Sequence, residues 1–433
     1  MEKLLHYCWK HRLTEAGRLF TTDGQLLEVL DVGLHNKNAG PDFFNVKLKI
    51  GGTLWAGNVE IHEKSSDWYV HGHEKDANYD SVVLHVAETI NSDVRTSKGC
   101  LVPQFQLSVP PYVLSHYEEL LATDDFPRCH QIIPGLSPLM LHSWMSALQA
   151  ERLQQKTAAI GRRMQQSVSD WDATYFVTLA RNFGFGINTD AFEAWANSFS
   201  LLDVIKHRDD PFQVEAIFMG QAGLLTPESI PERHREQALK DDYYIKLRDE
   251  YSYLQHKFNL TPIDHKRWRF LRLRPHNFPQ IRISQLVNLF CCRQLGFSQL
   301  LECGELGQVR SLLSTKATAY WENHYGFGNT SRRHQKLLSE ASLQVLIINT
   351  VVPMLFAYGQ YIGDEQLIDR SFSFLEQLPA ERNSIIDMWR QCGIDVKSAG
   401  DTQALIQLKS QYCDRKDCLR CRIGFEYLKK RDD

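Results

Sequence analysis

The stretch Asn38-Ala39-Gly40-Pro41-Asp42-Phe43-Phe44-Asn45-Val46-Lys47-Leu48-Lys49-Ile50-Gly51-Gly52-Thr53-Leu54-Trp55-Ala56-Gly57-Asn58-Val59-Glu60-Ile61-His62 decides the fold. Polar and apolar residues alternate from Asn45 to Ile50, the period of a half-buried strand. Gly51-Gly52 supplies a hairpin turn, and Thr53 to His62 alternates again. Asp42 and Glu60 each lie about nine residues from the turn, so antiparallel pairing brings them together. Upstream, Leu4 to Leu13 suits a short helix, and Leu26 to Gly33 is apolar with Glu28 and Asp31 set into it. Downstream, Ser81 to Ala87 and Leu101 to Val109 suit further strands, and Pro110-Pro111 closes the region.

Beyond the prolines the pattern turns helical. Apolar residues recur at helical spacing in Ser137 to Gln166, Trp171 to Asn182, Pro211 to Leu225, Arg235 to Phe258, Ile283 to Leu295 and Leu337 to Ala357. Strands first and helices afterwards predict an α+β protein. Its parts are a mixed sheet with flanking helices over 1–112, a large all-α region over 113–385, and a C-terminal helical segment with a small Cys cluster over 386–433.

Paired carboxylates at one end of a hairpin make a hard-oxygen site. Asp42 and Glu60, with Glu28 from the preceding strand, suit Mg²⁺ or Mn²⁺, which orient a phosphate and activate water. Pro41-Asp42 followed by Glu60-Ile61-His62, within the order helix, strands, helix, strand, resembles the PD-(D/E)XK nuclease-like superfamily. The resemblance covers about a quarter of the chain. It implies metal-dependent phosphodiester hydrolysis, with Asp42 and Glu60 as metal ligands. His62 stands where that superfamily has lysine. A histidine is mostly neutral near pH 7, so it serves as base or ligand, or marks a lost activity. Lys64, two residues on and on the same face, is a displaced candidate for the lysine.

A second polar cluster follows: His71, His73 and Asp76, with His85 in the next strand. Imidazoles favour Zn, Mn or Fe over Mg. The alternative is helix-end polar residues, with His85 a packed strand histidine.

The run Gly40-Pro41-Asp42-Phe43, Ser66-Asp67-Trp68, His71-Gly72-His73 and Leu84-His85-Val86 resembles an uncharacterised bacterial family designated a domain of unknown function. So do Gly220-Gln221-Ala222-Gly223-Leu224-Leu225, Arg274-Pro275-His276-Asn277-Phe278-Pro279 and the terminal cysteine segment. That resemblance spans nearly the whole chain and implies no activity.

Lys266, Arg267, Arg269, Arg272, Arg274 and Arg282 form the densest basic stretch, interleaved with Trp268, Phe270 and Phe278 and free of acids. Cations among aromatics suit a phosphate backbone and exposed bases, though the same pattern fits a solvated face over core aromatics. Near the C-terminus, Cys413, Cys418 and Cys421 have spacings that can converge on one Zn²⁺. Cys392 is the candidate fourth ligand, and four thiolates also suit an iron–sulfur cluster.

Composition bounds the rest. The 433 residues carry 49 Lys and Arg against 52 Asp and Glu, a net charge of −3, which excludes a globally basic nucleic-acid coat. No apolar run approaches a membrane span; Val345 to Tyr358 is short and contains Asn349 and Pro353. The first residues lack a signal-peptide pattern, so a cytoplasmic location without membrane contact is expected. No Gly-x₄-Gly-Lys loop is present, so ATP-driven movement would need a partner. The expected function is a metal-dependent nuclease or nuclease-like DNA-processing protein. The alternatives are an inactive nucleic-acid-binding scaffold and a small-substrate metallohydrolase centred on the histidines; oligomeric state stays open.

Overall fold

The computed structural model describes all residues except 15–16, 37, 123–125, 167–169, 294 and 431–433. They form an α+β protein of two compact units. The first comprises Met1–Trp144, Asp387–Ile394 and Leu408–Asp433; the second comprises Met145–Ile386 and Asp395–Gln407.

In the first unit, helix α1 (Glu2–His11) precedes strands β1 (Leu19–Phe20), β2 (Leu26–Asp31), β3 (Leu34–His35), β4 (Phe43–Ile50) and β5 (Thr53–Lys64). A one-turn helix α2 (Asp67–Val70) and two 3-10 turns, His73–Lys75 and Ala77–Tyr79, lead into β6 (Val82–Thr89) and β7 (Gln104–Gln106); α3 spans Pro111–Ala122. The seven strands form one sheet in the order β1-β2-β4-β5-β6-β7, with β3 also on β4. β2, β4 and β5 pair antiparallel, whereas β5, β6 and β7 run parallel.

The hairpin turn falls where the glycines require it. Ile50 pairs with Thr53, and Gly51 and Gly52 adopt φ of 56° and 87°. Two left-handed central residues match the twist of the strands, and only glycine takes both cheaply. A register shift between Phe43 and Val46, with Asn45 at φ 58°, absorbs the mismatch near the Asp42 end. In β4 Val46, Leu48 and Ile50 are buried as the alternation requires, whereas β6 is buried on both faces from Leu84 to Ala87. Trp68, Tyr79, Val82, Val94 and Val102 form a small separate core over the crossover.

The second unit is built almost wholly of helices around one large core. The expected helix Arg235 to Phe258 is broken into Glu232–Ala238 and Asp242–Phe258, with Asp241 capping the second through its carboxylate and the Tyr243 N–H. Glu340–Ile362 runs as one helical stretch of 23 residues, long and apolar enough to cross a membrane by length and composition. Asn349 and Pro353 do not shorten it, because a π-turn at Ile347–Val351 carries the chain through. It is mostly buried, as a core helix is.

Candidate histidine–carboxylate site

The sheet assembles the site as a row across its strands. Asp42 precedes Phe43, which pairs with Val59; Glu60 pairs with His85; His85 pairs with Gln104. Asp42, Glu60, His85 and Gln104 therefore stand side by side across β4, β5, β6 and β7. Glu60 and His62 point to one face of β5, two residues apart. The crossover after β5 then folds His71 and His73 over that face.

The carboxylates are locked reciprocally. The Asp42 N–H donates to Glu60 Oε2 at 3.0 Å, and the Ile61 N–H donates to Asp42 Oδ2 at 2.9 Å. Glu60 Oε1 is left facing imidazoles, 3.2 Å from His73 Nε2 and 3.6 Å from His62 Nε2. His62 Nε2 in turn lies 3.1 Å from His71 Nδ1. Ligand atoms held at ~2.0–2.1 Å around a tetrahedral ion stand ~3.3 Å apart, close to the Glu60–His73 and His62–His71 separations. Among the described residues, His62, His71 and His73 are the group whose donor atoms all lie within 4.8 Å of one another. Glu60, His62 and His73 are buried, while His71 is exposed and marks the open side.

The electrostatics favour a cation. Burial, reinforced by the neighbouring imidazoles, pushes His62 down to about 2. Burial and His73 bring His85 down to about 4 despite Asp42. Both are neutral at pH 7 with lone pairs available. Burial, with the Asp42 charge, raises Glu60 above the usual carboxylate range, although His73 opposes this. His73 Nε2 makes no hydrogen bond of good geometry, although it is buried. Three imidazoles, with the Glu60 carboxylate beside two of them, are donors that suit Zn, Mn or Fe, not the all-oxygen set that Mg²⁺ prefers.

Outside this shell, His85 Nε2 lies 2.9 Å from His62 Nδ1. The Gln104 amide nitrogen faces His85 Nδ1 at 3.3 Å and donates to the Ser92 carbonyl at 3.2 Å. His85 and Gln104 thus orient His62 from behind, as outer groups orient metal-ligating histidines. Tyr79 stacks on His73 at 3.7 Å between centroids, and Trp68 meets His73 and His85 edge-on. On the other side, His6 Nε2 of α1 lies 3.3 Å from Asp42 Oδ2. Burial works against a charged His6, but Asp42 outweighs it and holds the imidazole above 6.5.

His6 also lines a cavity of about 500 Å³ with Lys3, Lys10, Arg415, Lys416 and Arg420; Asp417 is the one acid lining it. The Lys416 ammonium is tied to the Leu121 carbonyl, and Arg420 pairs with Asp417 at 3.0 Å.

The two polar clusters read separately in the sequence are therefore one site, comprising Asp42, Glu60, His62, His71, His73 and His85. His6 and Gln104 were missed. His6 follows Glu2 by four residues on α1, a pairing visible in sequence; Gln104 has no such signal. Three expected members stand elsewhere. Glu28 pairs in register with Lys49 and forms an ion pair with it at 3.7 Å. That is seven residues along β4 from Asp42, roughly 20 Å at ~3.3 Å per residue. Asp76 caps the Ala77–Tyr79 turn, accepting from Asn78 N–H at 2.9 Å. Lys64 ends β5 exposed to solvent.

The basic stretch divides. It forms no strand: 3-10 turns at His265–Arg267 and Pro275–Asn277 precede the helix Pro279–Cys292, which holds Arg282. Lys266, Arg267, Arg269, Arg272 and Arg274 are exposed. Arg272 and Arg274 line a cavity of about 340 Å³ in the second unit, with His276, Phe183 and Phe185. Arg282 is not part of any such surface. It is buried, donates to Gln285 Oε1 at 2.8 Å and Asn277 Oδ1 at 2.6 Å, and lies over the Phe185 ring. Trp268 is also core, its indole donating to the Ala222 carbonyl at 2.7 Å.

Sheet and cluster together define an α+β protein with a buried histidine–carboxylate centre. A family model described as "Protein of unknown function (DUF2851)" matches residues 2–384, and the chain belongs to that family. No curated protein and no solved structure matches it.

Proposed function

We propose that the protein is a metal-dependent phosphodiester hydrolase acting on nucleic acid, with DNA the favoured polymer. The observation that carries this reading is that His6 belongs both to the carboxylate row and to the cationic cavity. A polyanion held by Lys3, Lys10 and Arg415 would present a phosphate beside that row, and localised cations are what a phosphate backbone recognises. The order α1, three antiparallel strands, helical crossover and parallel return strand supports the PD-(D/E)XK resemblance, as do the positions of Pro41-Asp42 and Glu60-Ile61-His62.

Glu60, His62, His71 and His73 would hold a divalent transition ion, Mn²⁺ or Zn²⁺. Such an ion supplies Lewis acidity and lowers the pKa of bound water. The chain's own groups do the rest. Asp42 favours the protonated form of His6, in which the imidazole would offer an N–H to a phosphate oxygen or a proton to a leaving oxygen. The burial of Glu60 and His62 excludes bulk water from one side. The residue at the superfamily's lysine position thus becomes a neutral ligand, and the positive charge that lysine would carry is assigned to His6 and the cavity.

The test is cleavage of labelled single- and double-stranded DNA and RNA by the purified chain with Mn²⁺, Zn²⁺ or Mg²⁺, beside Glu60→Ala and His73→Ala. Metal-dependent cleavage lost in both variants is expected. Polymer binding without cleavage under any metal would overturn the hydrolase reading in favour of a scaffold. Cleavage of small phosphodiesters alone would replace the polymer with a small substrate.

A further inference from the structure

We infer that Cys129, Cys413, Cys418 and Cys421 ligate an iron–sulfur cluster that pins the basic loop 414–420 in place; a single zinc ion would hold its four sulfurs closer together than these stand. This stands whether or not the histidine–carboxylate site hydrolyses anything. All four residues belong to the first unit, and all are free thiols.

Local backbone geometry brings the three terminal cysteines together. Cys413 ends a π-turn, Leu408–Cys413; Cys418 opens a 3-10 turn, Cys418–Arg420; Cys421 is the N-cap of the helix Arg422–Leu428. The loop between the first two is folded tightly. Lys416 N–H donates to the Cys413 carbonyl at 3.0 Å with Lys416 at φ 53°, and Asp417 N–H donates to the Tyr412 carbonyl at 2.9 Å. The Cys421 N–H then returns to the Cys418 carbonyl at 3.1 Å. Gly424 permits that closeness, because a Cβ there would sit 2.3 Å from the Cys418 carbonyl oxygen.

The fourth thiol comes from a distant part of the chain. The 3-10 segment Arg128–Gly135, which carries Cys129, packs on the terminal helix that Cys421 begins. Burial raises the Cys129 thiol, and after burial the charges acting on it are those of Cys421, Cys413 and Cys418, then Cys392. Cys413 and Cys418 feel Cys421 in the same way. Cys392, the fourth ligand expected from sequence, is shifted by its own burial alone. At Cys421 burial likewise raises the thiol, with the backbone N–H groups of Gly424 and Ile423 opposing it.

The consequence for the molecule is mechanical. Arg415, Lys416 and Arg420 sit between these ligands and line the cationic cavity. A metal that ties Cys413, Cys418 and Cys421 to Cys129 would fix those side chains there.

The experiment uses the full chain, purified without oxygen from cultures supplied with zinc and iron, in a His73→Ala background so that metal at the histidines is not counted. Metal per chain and visible absorbance are measured, the absorbance distinguishing an iron–sulfur cluster from zinc. Wild-type cysteines and Cys392→Ser should each retain one centre, and Cys129→Ser should lose it. Full metal content in Cys129→Ser, loss in Cys392→Ser, zinc without cluster absorbance, or no tightly held metal in any form would overturn the proposal. Alkylation of the unmutated full chain provides a second readout that does not depend on the folding of Cys129→Ser. Cys100 and Cys292 are exposed and should label at once, whereas Cys413 and Cys418 should label only after a chelator is added. Equal labelling of Cys413 and Cys418 with and without chelator would equally overturn it.

Discussion

Asp42 and Glu60 hold each other's strands: the Asp42 amide donates to Glu60 Oε2, and the amide following Glu60 donates to Asp42 Oδ2. Each carboxylate spends one oxygen on the sheet, so the hairpin end cannot splay without breaking two charge-assisted bonds. Glu60→Gln separates the structural from the ligating role. Its amide oxygen still accepts from Asp42, and its NH₂ group turns to His73 and His62. Stability to urea should change by no more than ~1 kcal/mol. Metal affinity, read by calorimetry with Zn²⁺ or Mn²⁺, should fall by ~100-fold or more, since an amide is a poor ligand for these ions.

His85 acts on the same shell from behind. His85→Phe fills the same space but leaves His62 Nδ1 without its partner at 2.9 Å. Loss of such an outer group lowers metal affinity by ~10–100-fold, with all four donors still present. Affinity unchanged from wild type would mean that His62 is not a ligand.

His6 carries the predicted pH dependence at the cavity. Its pKa in the folded protein is raised above 6.5 by Asp42. The interaction is fully present below 6.5 and is lost as pH rises through the raised value. With Asp42→Asn, burial is opposed only by Glu2 and the backbone at Ile61, and the pKa should fall. The ring C–H resonances of His6, followed by NMR in metal-free protein, measure both directions.

For His62 and His85 the sign is opposite. They are held to about 2 and about 4, so below 6.5 the unfolded chain takes up protons that the folded chain refuses. Metal-free protein should lose ~1.4 kcal/mol of stability per pH unit for each of the two between pH 6 and pH 4. Urea denaturation at pH 7, 6 and 5 measures the slope. The double variant His62→Gln, His85→Phe should flatten it.

The hairpin and its acidic end were legible because a strand pair is a local object. Alternation, the Gly51-Gly52 turn and equal distances to Asp42 and Glu60 are all written in consecutive residues. The parallel register was not. Nothing in the sequence states that Glu60 faces His85 and that His85 faces Gln104, because those pairings depend on how the crossover packs. Hence one site was read as two, and His6 and Gln104 were missed. Glu28 was misplaced for a related reason: the β2–β4 register sets it beside Lys49, at the far end of the strand. At the C-terminus, spacing singles out three cysteines, but Cys129, the fourth that we propose, lies on a segment that only tertiary packing brings to the terminal helix.

Arg282 and the cavity cations should separate stability from binding. In the sequence Arg282 belongs to the basic stretch. In the fold its guanidinium is occupied by Gln285, Asn277 and the face of Phe185. Burial lowers its pKa to about 10, so it remains charged at pH 7 and depends on those partners. Arg282→Ala leaves a void and unpaired acceptors, which together cost ~2–4 kcal/mol, while affinity for DNA at fixed salt should stay within twofold of wild type. Lys3→Ala, Lys10→Ala and Arg415→Ala combined should behave in reverse. These side chains are exposed, and their removal should change stability by ~0.5 kcal/mol or less each. Each lost phosphate contact should instead reduce the slope of log affinity against log salt by ~0.9 on duplex DNA. Urea denaturation and a salt series of binding isotherms measure the two effects. If Arg282→Ala weakened binding while remaining stable, the basic stretch would regain the interface role that its burial denies it.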